Sequence, residues 1–187
     1  VFDMVDTHFI RFEREHEISG GASALSEARR YRKLETKLAQ ASDLVWCASI
    51  EDKRVMETVT DTPIEVVPTI HELRHGGKPF DEREHLLFIG NLAHRPNEDA
   101  VLFFIREIYP LVLKTLPNVR LDIIGDYASA AVSAYNSEKV RILGYVPDVE
   151  PYLRERRVFI APLRFGAGIK GKVGEAMAHG IPVVTTK

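Results

Sequence analysis

Short runs of β-branched and aliphatic residues alternate along this chain with longer segments in which apolar residues recur at helical spacing. Such alternation is typical of a parallel sheet whose strands are joined by helices lying on both of its faces. The pattern therefore predicts an α/β fold. Strands are predicted at 1–6, 44–49, 64–68, 86–92, 119–125, 140–146, 158–163 and 182–186.

Helical periodicity is clearest in the segment 97–114, where apolar residues repeat every three or four positions. Asn97 is the predicted N-cap, because its side chain can accept a hydrogen bond from the free N–H groups of the first turn. Pro110 lacks an N–H donor, so we expect it to kink the last turns of this helix.

A second helix is predicted over 26–41. Its basic residues are typical of a solvated helix face, and a patch that binds anionic lipid or an anionic partner is the alternative. The predicted apolar stripe consists of Ala28, Tyr31, Leu34, Leu38 and Ala41, and the basic residues are Arg29, Arg30, Arg32, Lys33 and Lys37.

The charge balance of the 187 residues argues against a nucleic-acid-binding protein. Lysine and arginine number 25, aspartate and glutamate number 27, and the formal net charge is -2. A net charge this small provides no general attraction to a polyanion. Cys47 is the only cysteine, which excludes an internal disulfide and fits a reducing compartment. No apolar run approaches the roughly 18 residues of a membrane span.

A polar stretch with a Gly–Gly pair and a proline divides the chain. We predict a linker at 71–84 between two α/β units, which occupy 1–70 and 85–187. His71 and His75 have the spacing of a metal-binding pair, but no cysteine or other clustered ligand accompanies them, so no metal site is predicted. Because the first and last residues fall in or next to predicted strands, we expect a piece of a longer protein.

The segment 162–180 is the most informative about function. A predicted strand ends in a glycine-rich loop that contains Gly168, and a predicted helix follows this loop. Glycines let a backbone approach a ligand closely, and the N–H groups of the first helical turn point towards it. Three basic residues add positive charge to the same turn: Arg164, Lys170 and Lys172. The segment therefore predicts an anion site, most naturally one for a diphosphate.

Glu175 follows Lys172 by three residues and lies on the same side of the predicted helix. A carboxylate there can accept two hydrogen bonds from a vicinal diol such as a ribose, and an ordinary surface ion pair with Lys172 is the alternative. Gly90, Gly125 and Gly144 lie at the ends of three other predicted strands. Ligands of open parallel sheets bind beyond the carboxyl ends of the strands, so these glycines together favour a site there.

Five short segments follow one another in a characteristic order: FIGN at 88–91, RPN at 95–97, LDIIGD at 121–126, VRILGYV at 140–146 and EAMAHGIPVV at 175–184. With these segments, the region 86–186 resembles the donor-binding domain of the group 1 glycosyltransferases, which are retaining enzymes of glycosyltransferase family four. The stretch 2–9 resembles the strand that brings a histidine to the interdomain cleft in the same family. The resemblance implies an incomplete GT-B fold, with the tail of one Rossmann-like domain and most of the second.

Site residues follow from the resemblance. It implies that Glu175 holds the ribose of the donor and that the backbone at Tyr145 and Val146 holds the base. It also implies that His8 lies near the transferred sugar, as the catalytic-site histidine. Gly90, at the end of the first strand of the donor domain, is assigned to the same donor site.

The chain departs from the family pattern at two positions. Ala167 stands where a second glutamate is usual, and Asn91 stands where an arginine is usual. Arg95 is then the nearest cation to the first strand of the donor domain. We expect Lys170 and Lys172 to take over part of the phosphate binding.

The resemblance further implies a hexosyltransferase that uses a UDP- or GDP-linked sugar, retains the anomeric configuration and needs neither a metal nor another cofactor. The acceptor would be a glycan or lipid-linked glycan in polysaccharide or lipopolysaccharide synthesis. We therefore expect a cytoplasmic protein with a peripheral contact to the inner face of the membrane. The fragment is expected to be inactive and, through exposed sheet edges, to self-associate. A GT-B sugar-nucleotide epimerase and a non-catalytic α/β binding module are the alternatives.

Overall fold

The computed structural model describes residues 1–186, which form two compact units. The first unit consists of Val1–Ile70 together with Phe165–Lys170, and the second consists of His71–Arg164 together with the chain from Gly171 onwards. The residues 165–170 thus group with the first unit, although they lie within the stretch that the sequence assigns to the donor domain.

A three-stranded parallel sheet in the order β1–β2–β3 forms the centre of the first unit. Phe9, Val45 and Met56 are completely buried in its core. The elements of this unit are β1 (Phe2–Met4), α1 (His8–Ser19), α2 (Ala22–Gln40), β2 (Val45–Cys47), α3 (Ile50–Met56) and β3 (Ile64–Val66).

The apolar stripe predicted for α2 is wrong in its second half. Leu34 and Leu38 remain 44% and 42% exposed, and Ala41 lies beyond the last helical residue. Glu35 takes the buried position instead, at 4% exposure, because its carboxylate accepts hydrogen bonds from the N-terminus of α1. The sequence analysis did not predict α1.

A five-stranded parallel sheet in the order β6–β5–β4–β7–β8 forms the centre of the second unit. Phe88 on β4 packs into a core with residues of α4, whereas Leu87 and Ile89 pack into a second core with residues of α7 and α8. Helices therefore cover both faces, which confirms the predicted α/β fold. The elements are β4 (Glu84–Ile89), α4 (Arg95–Phe103), α5 (Tyr109–Thr115), β5 (Leu121–Ile124), α6 (Ala130–Ser133), β6 (Val140–Gly144), α7 (Glu150–Glu155), β7 (Arg156–Ala161), α8 (Gly171–Ala178) and β8 (Val183–Thr185).

Each of the eight predicted strands coincides with an observed strand, with ends that differ by at most three residues. The predicted helix at 97–114 corresponds to α4 and α5, which are joined by a π-helical turn at Phe104–Ile108. Pro110 explains this wide turn, because it lacks an N–H donor and its ring crowds the preceding turn. The predicted N-cap is wrong: His94 occupies the N-cap position of α4, without a capping hydrogen bond from its side chain, and the Asn97 amide donates to a loop carbonyl.

The predicted linker at 71–84 is docked on the second unit. The backbone N–H of Arg74 donates to the carbonyl of Ala178 at 2.8 Å, and that of Lys78 donates to the carbonyl of Arg154 at 3.2 Å. These bonds satisfy part of the backbone of a stretch that has little regular secondary structure.

Candidate functional site

Two backbone segments meet just beyond the ends of β4 and β5. The N–H of Gly90 donates to the carbonyl of Ile124 at 2.9 Å, and the N–H of Gly125 donates to that of Gly144 at 2.9 Å. A Cβ atom on Gly125 would lie far inside contact distance of the Gly90 carbonyl oxygen. Glycine is required at position 125 by this close approach of the two backbones.

The chain beyond β6 continues the same edge. Gly144 has a φ of 65°, in the left-handed region that favours glycine, and it turns the chain out of the strand. The Tyr145 side chain is 70% exposed, whereas Val146 packs onto the core beneath. Arg95 is exposed at the first position of α4, which follows β4. The edge thus presents an aromatic ring that a planar base could stack on.

Helix α8 carries an ion pair in its first turns. Lys172 Nζ donates to Glu175 Oε2 at 2.7 Å, so the surface pair considered as the alternative is present. Glu175 Oε1 has no partner within residues 1–186, and the side chain is not buried. Ala176 and Ala178 pack this helix inwards, which leaves the pair on its accessible side. One oxygen of the carboxylate is therefore open to a ligand, and the binding of a ribose diol by Glu175 stays a prediction.

Arg164 is engaged by two side chains of α4. Its guanidinium forms a two-point ion pair with Asp99, in which Nε lies 2.8 Å from Oδ2. The guanidinium carbon also lies 5.0 Å from the ring centroid of Phe103. Hydrogen bonding to Asp99 raises the pKa of Arg164. A diphosphate would therefore compete with Asp99 for this arginine, and its role in donor binding stays a prediction.

The glycine-rich loop 165–170 packs against the end of β1 in the first unit. Gly168 has a φ of 66°, and a Cβ atom there would lie 3.1 Å from Asp6 Oδ1. Arg14 Nη1 donates to the carbonyl of Gly166 at 2.6 Å. The hydrogen bond from Arg14 ties the loop to α1, and the closeness of Asp6 leaves little room for a side chain at position 168.

Lys170 turns its ammonium group into its own loop, where Nζ donates to the carbonyl of Ala167 at 2.6 Å. Burial lowers the pKa of Lys170, and the nearby Arg14 lowers it further, whereas Asp6 acts in the opposite direction. Lys170 and Lys172 belong to different units. A shared role of the two lysines in phosphate binding stays a prediction.

His8 is the first residue of α1 and is held from two sides. Its Nδ1 lies 2.8 Å from Glu35 Oε1, and its ring stacks on Tyr31 with the centroids 4.9 Å apart. Glu35 also accepts from the backbone N–H groups of His8 and Phe9, at 3.0 and 3.3 Å. The sequence analysis missed Glu35. The sequence does contain a signal for it, because Glu35 is a carboxylate at a helical position that falls within the predicted apolar stripe.

Within the second unit, the structure places Gly90, Gly125 and Tyr145 at the carboxyl ends of neighbouring strands. The pair of Lys172 and Glu175 lies on the helix that follows β7. In the part of the chain that the structure describes, no group of three or more His, Cys, Asp or Glu residues is arranged to hold a metal ion. Nor is any helix between residues 1 and 186 long and apolar enough to cross a membrane.

Parts of this chain are similar in sequence to known proteins. Residues 83–187 match the family described as "Glycosyl transferases group 1", which is more than half of the chain. A Klebsiella pneumoniae protein described as "Uncharacterized 44.6 kDa protein in cps region" is 27% identical over 130 residues. That match covers 64% of this chain and 33% of the Klebsiella protein.

Solved structures with the same fold include TarM. Its TM-score is 0.73 at 17% identity, and the match covers 98% of this chain and 35% of TarM. A mutant of S. aureus TarM was solved in complex with fondaparinux, alpha-GlcNAc-glycerol and UDP. Its TM-score is 0.75 at 16% identity, and the match covers 98% of this chain and 36% of the mutant. Anabaena HepE in complex with UDP and glucose has a TM-score of 0.71 at 14% identity, over 100% of this chain and 52% of HepE. At such identities the likeness shows the fold alone.

Proposed function

Since the chain belongs to the group 1 glycosyl transferases, we propose that it supplies the donor-binding part of a retaining enzyme that transfers a sugar from a nucleotide diphosphate. The Rossmann-like sheets and the similar solved structures agree with the GT-B fold. The chain spans 33% of the Klebsiella relative and 35% of TarM, so the activity, substrates and partners of the whole protein are part of the proposal.

The pair of Lys172 and Glu175 on α8 carries this proposal. Lys172 uses one of its three ammonium donors on Glu175, and the remaining donors can reach a phosphate. Glu175 Oε1 can accept from a ribose hydroxyl, since no residue between 1 and 186 donates to it. A cation and a carboxylate three residues apart therefore match a diphosphate joined to a ribose.

Transfer of the sugar leaves negative charge on the departing diphosphate and positive charge on the sugar ring. The N–H groups at the start of α8 and the ammonium of Lys172 would stabilise the charge on the diphosphate. As the family resemblance implies, the proposed reaction uses neither a metal nor a further cofactor. Retention of the anomeric configuration is part of the proposal because the family resemblance implies a retaining enzyme.

The base and the transferred sugar have separate proposed contacts. We assign the base to the backbone at Tyr145 and Val146, beside the exposed tyrosine ring. Structures of the S. aureus TarM mutant and of Anabaena HepE contain UDP, which favours UDP over GDP as the nucleotide to test first. His8 is proposed to contact the transferred sugar.

A role in polysaccharide synthesis is supported by the Klebsiella relative, which is described by its place in a cps region. The acceptor would then be a growing glycan or a lipid-linked glycan. The exposed basic residues Arg29, Lys33 and Lys37 on α2 support a peripheral contact with an anionic membrane.

Replacing Lys172 by alanine is expected to weaken UDP binding about tenfold while leaving uridine binding nearly unchanged, because the lost ammonium contacts the diphosphate. Glu175→Ala is expected to weaken both ligands about tenfold, because both contain the ribose. Isothermal titration calorimetry of the full chain with UDP and uridine provides the measurement.

Lys114→Ala is the matched control, since Lys114 is an exposed lysine on α5 of the same unit. Equal losses of UDP and uridine affinity in the Lys172 variant would contradict its assignment to the diphosphate. A chain that binds none of UDP, GDP and ADP would favour the non-catalytic module. Formation of an epimerised free donor, without sugar transfer, would favour the epimerase.

A further inference from the structure

A buried carboxylate lies at the N-terminus of α1. Glu35 comes from the middle of α2 and is 4% exposed. Its Oε1 accepts from the backbone N–H of His8 at 3.0 Å, and its Oε2 accepts from that of Phe9 at 3.3 Å. The N-cap residue Thr7 makes no capping hydrogen bond with its own side chain. Glu35 therefore caps α1 from a neighbouring helix.

Burial of a carboxylate is unfavourable unless hydrogen bonds and opposite charge compensate it. The two N–H groups and the positive end of the α1 dipole provide that compensation. The third contact of the carboxylate is different in kind, because it goes to a side chain. Oε1 lies 2.8 Å from Nδ1 of His8, the residue that the proposed function places near the transferred sugar.

The imidazole of His8 is fixed in orientation by these contacts. One face stacks on the Tyr31 ring with an interplanar angle of 12°, and Nδ1 is bonded to Glu35. Nε2 has no hydrogen-bond partner in the described part of the chain, and the side chain is 33% exposed. The ring is thus held through one nitrogen and accessible at the other.

The same turn is anchored a second time, through the side chain of Thr7. Thr7 Oγ1 donates to Asp52 Oδ1 at 2.7 Å, and both residues are buried. Asp52 holds the turn that leads into α1, and among residues 1–186 no hydrogen bond joins it to the His8 ring. Both carboxylates therefore anchor the turn, and Glu35 is the one that also bonds to the His8 ring.

We propose that Glu35 is a positioning residue that keeps His8 in the tautomer protonated at Nδ1, so that Nε2 can accept a hydrogen bond from a sugar hydroxyl. The inference rests on the proposed function for the role of His8. A carboxylate accepts but cannot donate, so a neutral imidazole at 2.8 Å from it places its proton on Nδ1. Nε2 then carries the free lone pair.

Long-range ¹H–¹⁵N correlation spectra of the imidazole groups, recorded on the full chain near pH 8.5 where ordinary imidazoles are neutral, report the tautomer directly. His8→Gln identifies the signal of His8 among the seven histidines. We expect the Nδ1-protonated form to predominate in the wild type. In Glu35→Gln, which keeps the shape but removes the charge, we expect that majority to be lost.

Asp52→Asn is the matched control. It removes the other buried carboxylate that bonds to this turn, and the His8 tautomer is expected to remain as in the wild type. The wild-type spectrum tests the proposal even where a variant fails to fold. A predominant Nε2-protonated ring in the wild type, or equal shifts in Glu35→Gln and Asp52→Asn, would overturn it.

Calorimetry of the same wild-type chain with UDP keeps the two proposals distinguishable. If UDP binds while His8 is protonated at Nε2, only the role of Glu35 fails. If the ring is protonated at Nδ1 and the chain binds no nucleotide, the proposed function fails and the positioning role falls with it.

Discussion

Asp122→Asn is expected to lower the free energy of unfolding of the second unit by about 3 kcal/mol, the cost of breaking a buried ion pair from one side. Asp122 lies on β5 and is completely buried. Its carboxylate accepts from Arg141 on β6 at 2.7 and 2.6 Å and from Arg156 on β7 at 2.7 Å. An asparagine would turn amide hydrogens towards two guanidinium groups, which have no acceptor to offer.

The same residue predicts a pH dependence. Burial raises the pKa of Asp122, but the hydrogen bonds and charges of Arg141 and Arg156 outweigh it, and the pKa lies below its ordinary value of 3.8. The folded state therefore binds fewer protons than the unfolded state between that lower value and 3.8. The stabilisation is complete above pH 3.8 and is lost as the pH falls through the pKa of the folded state.

Urea unfolding followed by far-UV circular dichroism, at neutral pH and at a series of acidic pH values, checks both effects. Asp81→Asn is the control, because it removes the same charge from an exposed position in the same unit. The contribution of Asp122 to acid sensitivity is expected to be absent in Asp122→Asn and retained in Asp81→Asn. An unfolding free energy within about 0.5 kcal/mol of the wild type would show that the two arginines find other partners.

Gly125→Ala is expected to destabilise the second unit by a comparable amount, about 3 kcal/mol. The added methyl group would overlap the carbonyl oxygen of Gly90, which is backbone and cannot rotate away. Relief requires separation of the ends of β4 and β5, which also form the edge proposed to receive the donor. We therefore expect the variant to lose UDP affinity as well.

Gly171→Ala makes the same change where an added Cβ meets no atom within 4 Å. Its unfolding free energy is expected to stay within about 0.5 kcal/mol of the wild type. Urea unfolding of both variants gives the comparison of stability, and calorimetry of Gly125→Ala and the wild type with UDP gives that of affinity. Wild-type stability in Gly125→Ala would mean that the strand ends separate without cost, and that the glycine is not required by packing.

Local patterns predicted much of the architecture. Each strand is a short apolar run whose burial depends on residues adjacent in sequence, so all eight were found with small errors at their ends. The motif at 175–184, together with its preceding segments, indicated the family that residues 83–187 match. These features can be identified from the sequence because neighbouring residues suffice to define them.

The errors have a common origin in long-range pairing. Leu34 and Leu38 were expected in the core, but Glu35 is buried instead, because α1 supplies partners 27 and 26 positions away. The sequence analysis also missed the ion pair of Arg164 with Asp99, 65 positions away, although the role of Arg164 in donor binding stays a prediction. Hydrophobic periodicity predicts an exposed position for a carboxylate, because the pattern does not indicate which distant groups will compensate the burial of the charge.

By itself, then, the sequence determined the class of fold, the positions of its strands and the family, because hydrophobic period and contiguous motifs are local properties. Only the tertiary structure decided which charged groups are already paired and which remain open to a ligand. It showed Glu175 with one oxygen that has no partner among residues 1–186, Lys170 turned into its own loop and His8 held by Glu35. The physical reason is that the free energy of a buried charge depends on partners that folding brings together from distant positions.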